Sequence, residues 1–329
     1  MMKVLIVTNM WPSVEKPYYG LFVKEQIGAL QLMNKDINVE VFNIQGYSNK
    51  FSYILSVFSI RKLIKNDQFD VIHIHFGLSG LFLLFLRRIQ IPVICTFHGS
   101  DISANSRKMF VKWISFQVAK RCTRIVVLNK QMVEQVRHLN IPFDIIPCGV
   151  DTDFFRQSVI KDEPKAKIVI GFPSNPDRIE KNYSLFANIV QELRKVYEVE
   201  IVVELFVHLN RTQISEKLNS IDVLLMTSHY EGSPQIIKEA MACNCKIVSR
   251  DVGDVRLLFE TVCNAIVLDY DAGVLDYVEV IKDLMNGVRK QGTVSSRERL
   301  LHLGLTSSAV AERVNEVYNK AINGEIEKN

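Results

Sequence analysis

Short apolar runs rich in β-branched residues alternate with amphipathic stretches of helical length along almost the whole chain. In the first half, the runs that predict buried strands are Val4–Thr8, Val39–Phe42, Val71–Ile74, Val93–Phe97, Ile125–Leu128 and Ile145–Pro147. The stretches that predict helices are Leu21–Met33, Ser52–Ile64, Lys108–Lys120 and Gln131–Leu139. Parallel strands need a crossover between them, so this alternation predicts a doubly wound α/β domain.

The same alternation starts a second time after a polar segment with linker composition, Gln157–Lys167. The predicted strands of this second part are Ile168–Gly171, Val199–Val203, Val223–Thr227, Ile247–Ser249 and Ala265–Leu268. Its predicted helices are Tyr183–Val196, Thr212–Asn219, Pro234–Ala242, Gly273–Val288 and Ser307–Ile322. The sequence therefore predicts two α/β domains, residues 1–160 and 161–306, followed by a C-terminal helical segment, residues 307–329.

The charge balance restricts the partners of each half. The net charge of +4 is too small to indicate a nucleic-acid-binding protein by itself. However, residues 1–160 carry 19 Lys and Arg against 11 Asp and Glu, whereas the remaining residues carry 21 against 25. We expect the first half to face something anionic, and a membrane surface, a phosphorylated acceptor and a nucleic acid all fit. Among these, a nucleic acid is not expected as a partner, because the sequence contains no recognised nucleic-acid-binding motif and the net charge is modest.

The cysteines and the apolar stretches indicate the cellular compartment that we expect for the protein. The six cysteines form no CxxC pair and several lie within apolar runs, which favours a reducing, cytoplasmic location. The N-terminus leads directly into a strand rather than resembling a signal peptide. The longest apolar stretch, Val71–Leu86, contains two histidines and two glycines and is too short to span a bilayer.

Several nucleotide-binding and hydrolase motifs are absent from the sequence. There is no GxGxxG fingerprint, no GxxxxGK[ST] loop, no HExxH and no GxSxG. Two α/β domains usually bind a ligand in the cleft between them, at the carboxyl ends of their strands. We therefore expect the functional residues to follow strands.

The most informative segment follows the strand Val223–Thr227 and runs from Glu231 to Met241. Ser233 and Pro234 fit the N-cap and first position of a helix. Free backbone N–H groups at residues 232–235 can bind a phosphate, and a carboxylate set back from them suits a ribose. Taken alone, Glu231 and Glu239 are also compatible with ordinary solvated acids at a helix end.

The spacing of Glu231 and Glu239, E-x7-E, resembles the signature of family-4 retaining glycosyltransferases of the GT-B fold. The resemblance continues through residues 239–255, Thr96–Asp101, Ile146–Asp151 and Gly20–Gln26, so that it spans nearly the whole chain. It implies two Rossmann-like domains facing across a cleft, with the helix of residues 307–329 crossing back to the first. It also implies a nucleotide-sugar donor, retention of anomeric configuration, and no cofactor or required metal.

The resemblance assigns roles to residues of the second domain. Glu239 is expected to hold the donor ribose, and Glu231 to orient the transferred sugar as a catalytic residue. Ser233, Pro234 and Gln235 are expected to line the phosphates and sugar through backbone N–H groups. A further pair of cations, Arg178 and Lys181, follows the first strand of that domain and is expected to bind the diphosphate. The structural alternatives are a loop acid for Glu231, a surface residue for Gln235, and a solvated loop pair for Arg178 and Lys181.

In the first domain, the resemblance marks His98 as a catalytic residue beside the donor sugar, positioning the sugar without acting as the base. Asp101 is expected on the acceptor side or as a helix cap. Gly20 is expected to let the backbone approach the donor, with a plain N-cap glycine as the alternative. His73 and His75 are expected to face opposite sides of their strand and to be structural.

Two Asp-x-Asp triplets, Asp151–Asp153 and Asp269–Asp271, are expected to be turn and cap acids rather than metal ligands. The segment Glu204–Arg211 is shorter than is usual in the family, which leaves the base of the nucleotide open. Among donors we favour UDP-sugars over GDP-sugars.

The resemblance therefore predicts glycosyl transfer onto a glycan or lipid-linked acceptor in bacterial cell-surface polysaccharide synthesis. Two basic apolar segments, Ser52–Lys65 and Gly80–Arg88, suggest peripheral contact with the inner face of an anionic membrane, or else core helices with a solvated face. The alternative functions are a nucleotide-sugar epimerase of the same architecture and a non-catalytic nucleotide-sugar-binding subunit.

Overall fold

A computed structural model of the 329-residue chain describes residues 1–46, 49–86, 88–102, 109–158, 167–288 and 292–325. The chain divides into two compact units. Unit 1 consists of residues Met1–Gly149 and Ser307–Asn329, and unit 2 consists of Val150–Thr306.

Unit 1 is built on a sheet of six parallel strands in the order β2-β1-β3-β4-β5-β6. The strands are β1 (Met2–Thr8), β2 (Ile37–Asn43), β3 (Val71–His75), β4 (Val93–Thr96), β5 (Arg124–Val127) and β6 (Phe143–Ile145). The central strands are buried on both faces, as the unbroken apolar runs predict. The order places a topological switch point between β1 and β3.

Helices cover both faces of this sheet. They are α1 (Leu21–Met33), α2 (Ser52–Asn66), α3 (Met109–Ala119), α4 (Lys130–Val136) and, after unit 2 in the chain, α11 (Ser307–Asn323). The apolar sides of α1 and α11 share one buried cluster with β1, and α11 packs against α1. The other side of the sheet is covered by α2, α3, α4 and a 3₁₀ segment, Gly77–Phe85.

Unit 2 repeats this topology with five parallel strands in the order β11-β10-β9-β7-β8. The strands are β7 (Lys167–Phe172), β8 (Glu200–Leu205), β9 (Val223–Met226), β10 (Ile247–Arg250) and β11 (Ala265–Leu268). The helices are α5 (Tyr183–Val196), α6 (Arg211–Ser220), α7 (Gln235–Ala242), α8 (Val255–Leu258), α9 (Val274–Met285) and α10 (Ser296–His302). Its switch point lies between β7 and β9.

The predicted fold class, α/β with two doubly wound parallel sheets, is confirmed. The largest discrepancy in strand bounds is at β6. The prediction was Ile145–Pro147, whereas the strand is Phe143–Ile145, with Phe143 paired to Ile125. The 3₁₀ segment and the short helices α8 and α10 were not predicted. The predicted linker lies mostly outside the described residues, since residues 159–166 are not described. Lys108 and Arg87 also lie outside them.

The two units divide at Gly149–Val150, earlier in the chain than the sequence boundary at residue 160. Val150 donates its N–H to the carbonyl of Leu305, and Phe155 is fully buried in the apolar cluster of unit 2. Within the described ranges, no helix is both long enough and apolar enough to cross a membrane.

Candidate active site

The switch point of unit 2 brings together the loops that follow β7 and β9. The hydroxyl of Thr227 donates to the carbonyls of Lys181 and Asn182, at 3.2 and 3.1 Å. The N–H of His229 donates to the carbonyl of Glu180 at 2.8 Å. These bonds fix the short 3₁₀ turn Ile179–Lys181 against the end of β9, as expected where strand order reverses.

This arrangement places Lys181 beside Glu231. Lys181 Nζ lies 2.5 Å from Glu231 Oε1, and each side chain is only 15% exposed. Two residues that are fifty positions apart in the chain and were predicted to act on the same donor therefore form one ion pair.

The second predicted cation, Arg178, is placed differently. Its guanidinium pairs with Glu180 in its own loop, at 2.8 Å from Nε and 2.6 Å from Nη2, and its side chain is 55% exposed. An exposed pair of this kind contributes little to stability, so Arg178 can exchange partners at low cost.

The prediction that Ser233 caps α7 is wrong. The N-cap residue is Pro234, and the Ser233 hydroxyl instead donates to Asp254 Oδ2 at 2.6 Å. Burial raises the pKa of the Asp254 carboxyl above its usual value, while nearby Lys238 and the bond from Ser233 oppose the shift. Pro234 has no N–H, so its predicted part in phosphate binding through the backbone is also ruled out.

Gly253 explains how Ser233 and Asp254 meet. Its φ of +62° is left-handed, and a Cβ there would lie 2.4 Å from the carbonyl oxygen of Gly232. Only glycine lets the loop after β10 approach the loop after β9 this closely. The carboxyl ends of β7, β9 and β10 thus carry one connected polar cluster.

Glu239 is the buried carboxylate of α7. Its side chain is 3% exposed, and Oε1 accepts a hydrogen bond from Arg211 Nη1 at 2.6 Å. The Arg211 guanidinium also lies over the ring of Phe155, at 4.5 Å from its centroid. The solvated-acid alternative for Glu239 is therefore excluded, while Gln235 begins α7 and is half-buried.

Sequence reasoning missed Arg211. It closes the segment Glu204–Arg211, which was noted only for its shortness, and it begins α6. The available signal was a buried carboxylate on α7 that required a cation, because an isolated buried charge is too costly to keep.

In unit 1, histidines line the carboxyl ends of β3 and β4. The prediction that His73 and His75 face opposite sides is wrong, because residues two apart on a strand point the same way. Their ring centroids are 4.2 Å apart. His75 Nδ1 lies 3.2 Å from His98 Nε2, and the His98 ring packs against Phe22 with centroids 5.1 Å apart.

The three histidines His73, His75 and His98 form a row, and hydrogen bonds hold it in place at His73. His73 Nδ1 bonds the hydroxyl of Tyr318 at 2.7 Å, and His73 Nε2 bonds that of Thr96 at 2.7 Å. Burial lowers the pKa of His75 to about 3. Burial, followed by the neighbouring histidines, also holds the pKa values of His73 and His98 well below their usual range. All three rings are therefore neutral at pH 7, and His98 can exchange hydrogen bonds but cannot serve there as an imidazolium acid.

Asp101 holds the backbone beside the three histidines in place. Its carboxylate accepts the backbone N–H of His98 at 3.0 Å and that of Gly77 at 2.9 Å, tying the end of β4 to the segment after β3. Burial raises its pKa to about 6, although these N–H groups oppose the shift. The fully buried carboxylate of Asp101 therefore holds together the two segments that follow β3 and β4.

Gly20 is explained by packing within unit 1. It has a φ of +71° at the start of α1, and a Cβ would lie 2.2 Å from the backbone carbon of Met10. The glycine therefore allows two backbone segments to touch, as a close approach requires.

No three His, Cys, Asp or Glu side chains converge as metal ligands in the part of the chain that the structure describes. Asp151 Oδ1 accepts the N–H groups of Asp153 and Phe154, which confirms that this acid closes a turn. Asp269 pairs with Arg256.

Solved structures establish the fold. Sucrose-phosphate synthase from Thermosynechococcus elongatus superposes with a TM-score of 0.74 at 14% identity, covering 99% of this chain and 100% of that one. HepE from Anabaena in complex with UDP gives 0.66 at 13% identity, covering 97% and 100%. At such identities the likeness establishes the fold alone, which is the GT-B fold of glycosyltransferases.

Matches between the sequence and family models identify the family. Residues 3–154 match Glycosyltransferase Family 4, and residues 161–292 match Glycosyl transferases group 1. The chain belongs to this family of glycosyltransferases.

Two curated relatives are distant. One is a UDP-Gal:α-D-GlcNAc-diphosphoundecaprenol α-1,3-galactosyltransferase of Escherichia coli, 26% identical over 57% of this chain and 59% of that protein. Another is the putative teichuronic acid biosynthesis glycosyltransferase TuaC of Bacillus subtilis, 22% identical over 78% of this chain and 83% of that protein. The match thus spans less than two thirds of the Escherichia coli enzyme.

Proposed function

We propose that the protein is a retaining glycosyltransferase that moves a hexosyl or related sugar from a nucleoside-diphosphate sugar onto a glycan or lipid-linked acceptor. UDP-sugars are the favoured donors. The proposed setting is bacterial cell-surface polysaccharide synthesis at the cytoplasmic side of the membrane, with no cofactor and no required metal.

One observation carries this proposal: the connected cluster at the carboxyl ends of β7, β9 and β10. It contains a cation held in place, Lys181, and a second cation that can exchange partners, Arg178. The helix that follows its β9 loop, α7, carries a buried carboxylate, Glu239. Cations suit a diphosphate, whose charge grows as the glycosidic bond breaks, and a fixed carboxylate suits the two ribose hydroxyls.

The proposed reaction needs no redox partner. The bond between the anomeric carbon and the β-phosphate oxygen breaks, and the acceptor oxygen bonds to the same face of that carbon. The acceptor proton passes to the departing phosphate. In this scheme Lys181 and Arg178 offset the charge of the leaving group, and Glu231, held by Lys181, orients the sugar hydroxyls.

His98 has a positioning role in this scheme. Since its ring is neutral and held by His75, it offers one hydrogen bond in a fixed direction rather than a proton. Burial also keeps its pKa well below the usual value, which makes the ring a weak proton acceptor and agrees with a reaction in which the leaving phosphate is the base.

The donor and acceptor classes are inferred from relatives. The Escherichia coli relative is named for a UDP-galactose donor and a diphosphoundecaprenol-linked acceptor, TuaC is named for teichuronic acid biosynthesis, and the HepE structure contains UDP. These names support a UDP-linked donor and a lipid-linked or glycan acceptor for this chain.

Calorimetric binding of UDP, GDP and ADP tests the donor site. We expect UDP to bind and Glu239→Ala to weaken binding by more than about tenfold, or ~1.4 kcal/mol. Glu192→Ala, which removes an acid on α5 away from the cluster, is the matched control and should bind like wild type. Circular dichroism confirms that both variants fold.

The outcomes separate the alternatives. Binding that Glu239→Ala leaves unchanged would contradict the assigned site. Release of free nucleotide from a donor without any glycosylated product would favour the epimerase, and donor binding without turnover would favour the non-catalytic subunit.

A further inference from the structure

Two neighbouring helices of unit 1 expose large apolar side chains on their outer faces. While α2 buries Tyr53, Val57 and Ile60, its N-terminal half and the residue before it expose four apolar side chains. α3 buries Ile114 and Val118 and exposes three more. With the end of the 3₁₀ segment between them, the exposed set, called here the apolar surface, consists of Phe51, Ile54, Leu55, Phe58, Phe85, Met109, Phe110 and Trp113.

The fold places these residues on one side of unit 1. Both α2 and α3 pack against the 3₁₀ segment Gly77–Phe85, and all three share the same buried cluster beneath. Each helix follows one parallel strand and precedes the next, so the two helices run in the same direction. Their apolar N-terminal halves therefore lie at the same end, near the carboxyl ends of the strands.

The exposure at this surface is large. Phe58 and Phe110 are each 70% exposed, and Trp113, whose ring stacks on Phe110, is 56% exposed. Scattered exposed apolar residues are ordinary, but a cluster dominated by aromatic side chains marks an interaction surface.

The charged side chains that α2, α3 and the residues directly after α3 carry are all basic. Arg61, Lys62 and Lys65 form the exposed C-terminal end of α2, and Lys120 and Arg121 follow α3. The sequence contains no Asp or Glu within 41–66, 71–100 or 102–133. The acids between these runs are occupied: Asp67 pairs with Lys3, Asp70 accepts the N–H of Lys3, and Asp101 is buried.

We infer that this face of unit 1 binds the surface of an anionic lipid bilayer. The aromatic and aliphatic side chains enter the boundary between headgroups and acyl chains, while the basic helix ends contact anionic headgroups. A protein partner would be expected to meet charges of both signs, whereas an anionic bilayer is complementary to an apolar surface whose neighbouring charges, towards the C-terminal ends of the same helices, are all basic.

This inference deepens the proposed transfer to a lipid-linked acceptor and rests on it for its purpose. The surface includes α3, which lies outside the two basic apolar segments expected from the sequence, Ser52–Lys65 and Gly80–Arg88. The tests below measure membrane binding without any sugar transfer, so they can fail while the enzymatic proposal stands, and the reverse also holds.

The first test is co-sedimentation of the full chain with vesicles at low ionic strength. We expect binding to vesicles of phosphatidylcholine with phosphatidylglycerol and little binding to phosphatidylcholine alone. Phe58→Glu with Trp113→Glu, and separately Arg61→Glu with Lys62→Glu, should each weaken binding by at least about tenfold. The matched controls are Leu32→Glu with Leu275→Glu and Lys35→Glu with Lys282→Glu, which change exposed residues elsewhere and should bind like wild type.

Tryptophan fluorescence localises the contact. The chain has two tryptophans, so Trp11→Phe leaves Trp113 as the only one. Its emission should shift to shorter wavelength on anionic vesicles and be quenched by brominated lipid.

Three results would overturn the inference. The first is no sedimentation of wild type with anionic vesicles at low salt. The second is equal binding of the apolar-surface variants and wild type, with unchanged Trp113 emission. The third is a wild-type dimer by light scattering that Phe58→Glu with Trp113→Glu converts to a monomer, which would assign the apolar surface to a second copy of the chain.

Discussion

Acidification should destabilise unit 1 through its buried histidines, and His75 allows the size of the effect to be worked out. The side chain is 1% exposed, and burial lowers its pKa from 6.5 to about 3. Because the folded pKa is depressed, the unfolded chain takes up this proton first as the pH falls. Stability is fully present above about pH 6.5 and is lost progressively down to about pH 3.

The linkage relation gives the magnitude. Between about pH 7.5 and about pH 5, the unfolded histidine becomes almost fully protonated while the folded one stays neutral, which costs about 2 kcal/mol of unfolding free energy. Asp101 acts in the opposite direction. Its folded pKa of about 6 lies above the unfolded value, so protonation over the same interval returns about 1.4 kcal/mol.

The assay compares pH dependences rather than absolute stabilities. Urea unfolding is followed by tryptophan fluorescence at both pH values, for wild type and for His75→Asn. Both tryptophans, Trp11 and Trp113, lie in unit 1, so their emission reports this unit alone. The variant should lose about 2 kcal/mol less than wild type on acidification, because Asp101 contributes equally to both.

The matched control is His138→Asn, which removes an exposed imidazole of the same unit. If wild type and His75→Asn lost stability equally, to within about 0.5 kcal/mol, the argument that burial keeps His75 neutral would be refuted.

Two further predictions concern unit 2. Lys181→Met should weaken UDP binding in calorimetry by about tenfold to a hundredfold, since it removes a cation that is held in place. Arg178→Met should have the smaller effect because that side chain is exposed. A larger loss of UDP affinity for Arg178→Met would show that Arg178, and not Lys181, is the main diphosphate cation. Gly253→Ala should lower the thermal midpoint more than Gly287→Ala does: both need a left-handed backbone, but only at Gly253 does the added methyl meet a carbonyl oxygen at 2.4 Å. Equal shifts would show that the close approach of the two loops is relaxed.

Much of the fold could be predicted because its signals are local. The strand Val4–Thr8 is recognisable from its own residues, and β1 contains it. The helix α5 was predicted with its bounds, Tyr183–Val196, because its apolar residues follow the helical period. The 3₁₀ segment Gly77–Phe85 was missed because an unbroken apolar run has no period to recognise.

The sequence predicted which types of residue form the candidate site, but it did not predict which of them contact each other. The position of Glu231 and Glu239 relative to a strand and a helix could be inferred from spacing. Ser233 was misassigned as a cap because its true partner, Asp254, lies on another loop. His73 and His75 were misassigned by a wrong use of strand periodicity, which the sequence alone was sufficient to avoid.

Local periodicity and residue type, which the sequence carries by itself, settled the α/β class, the two-part organisation and the loops that hold polar residues after strands. Tertiary packing decided the rest: that Lys181 meets Glu231, that Arg211 neutralises Glu239, and that His98 joins the histidines of β3 in one neutral row. Each of these contacts joins residues distant in sequence, and each depends on burial. The cost of isolating a charge or a polar atom from water is fixed only once the surrounding chain is in place.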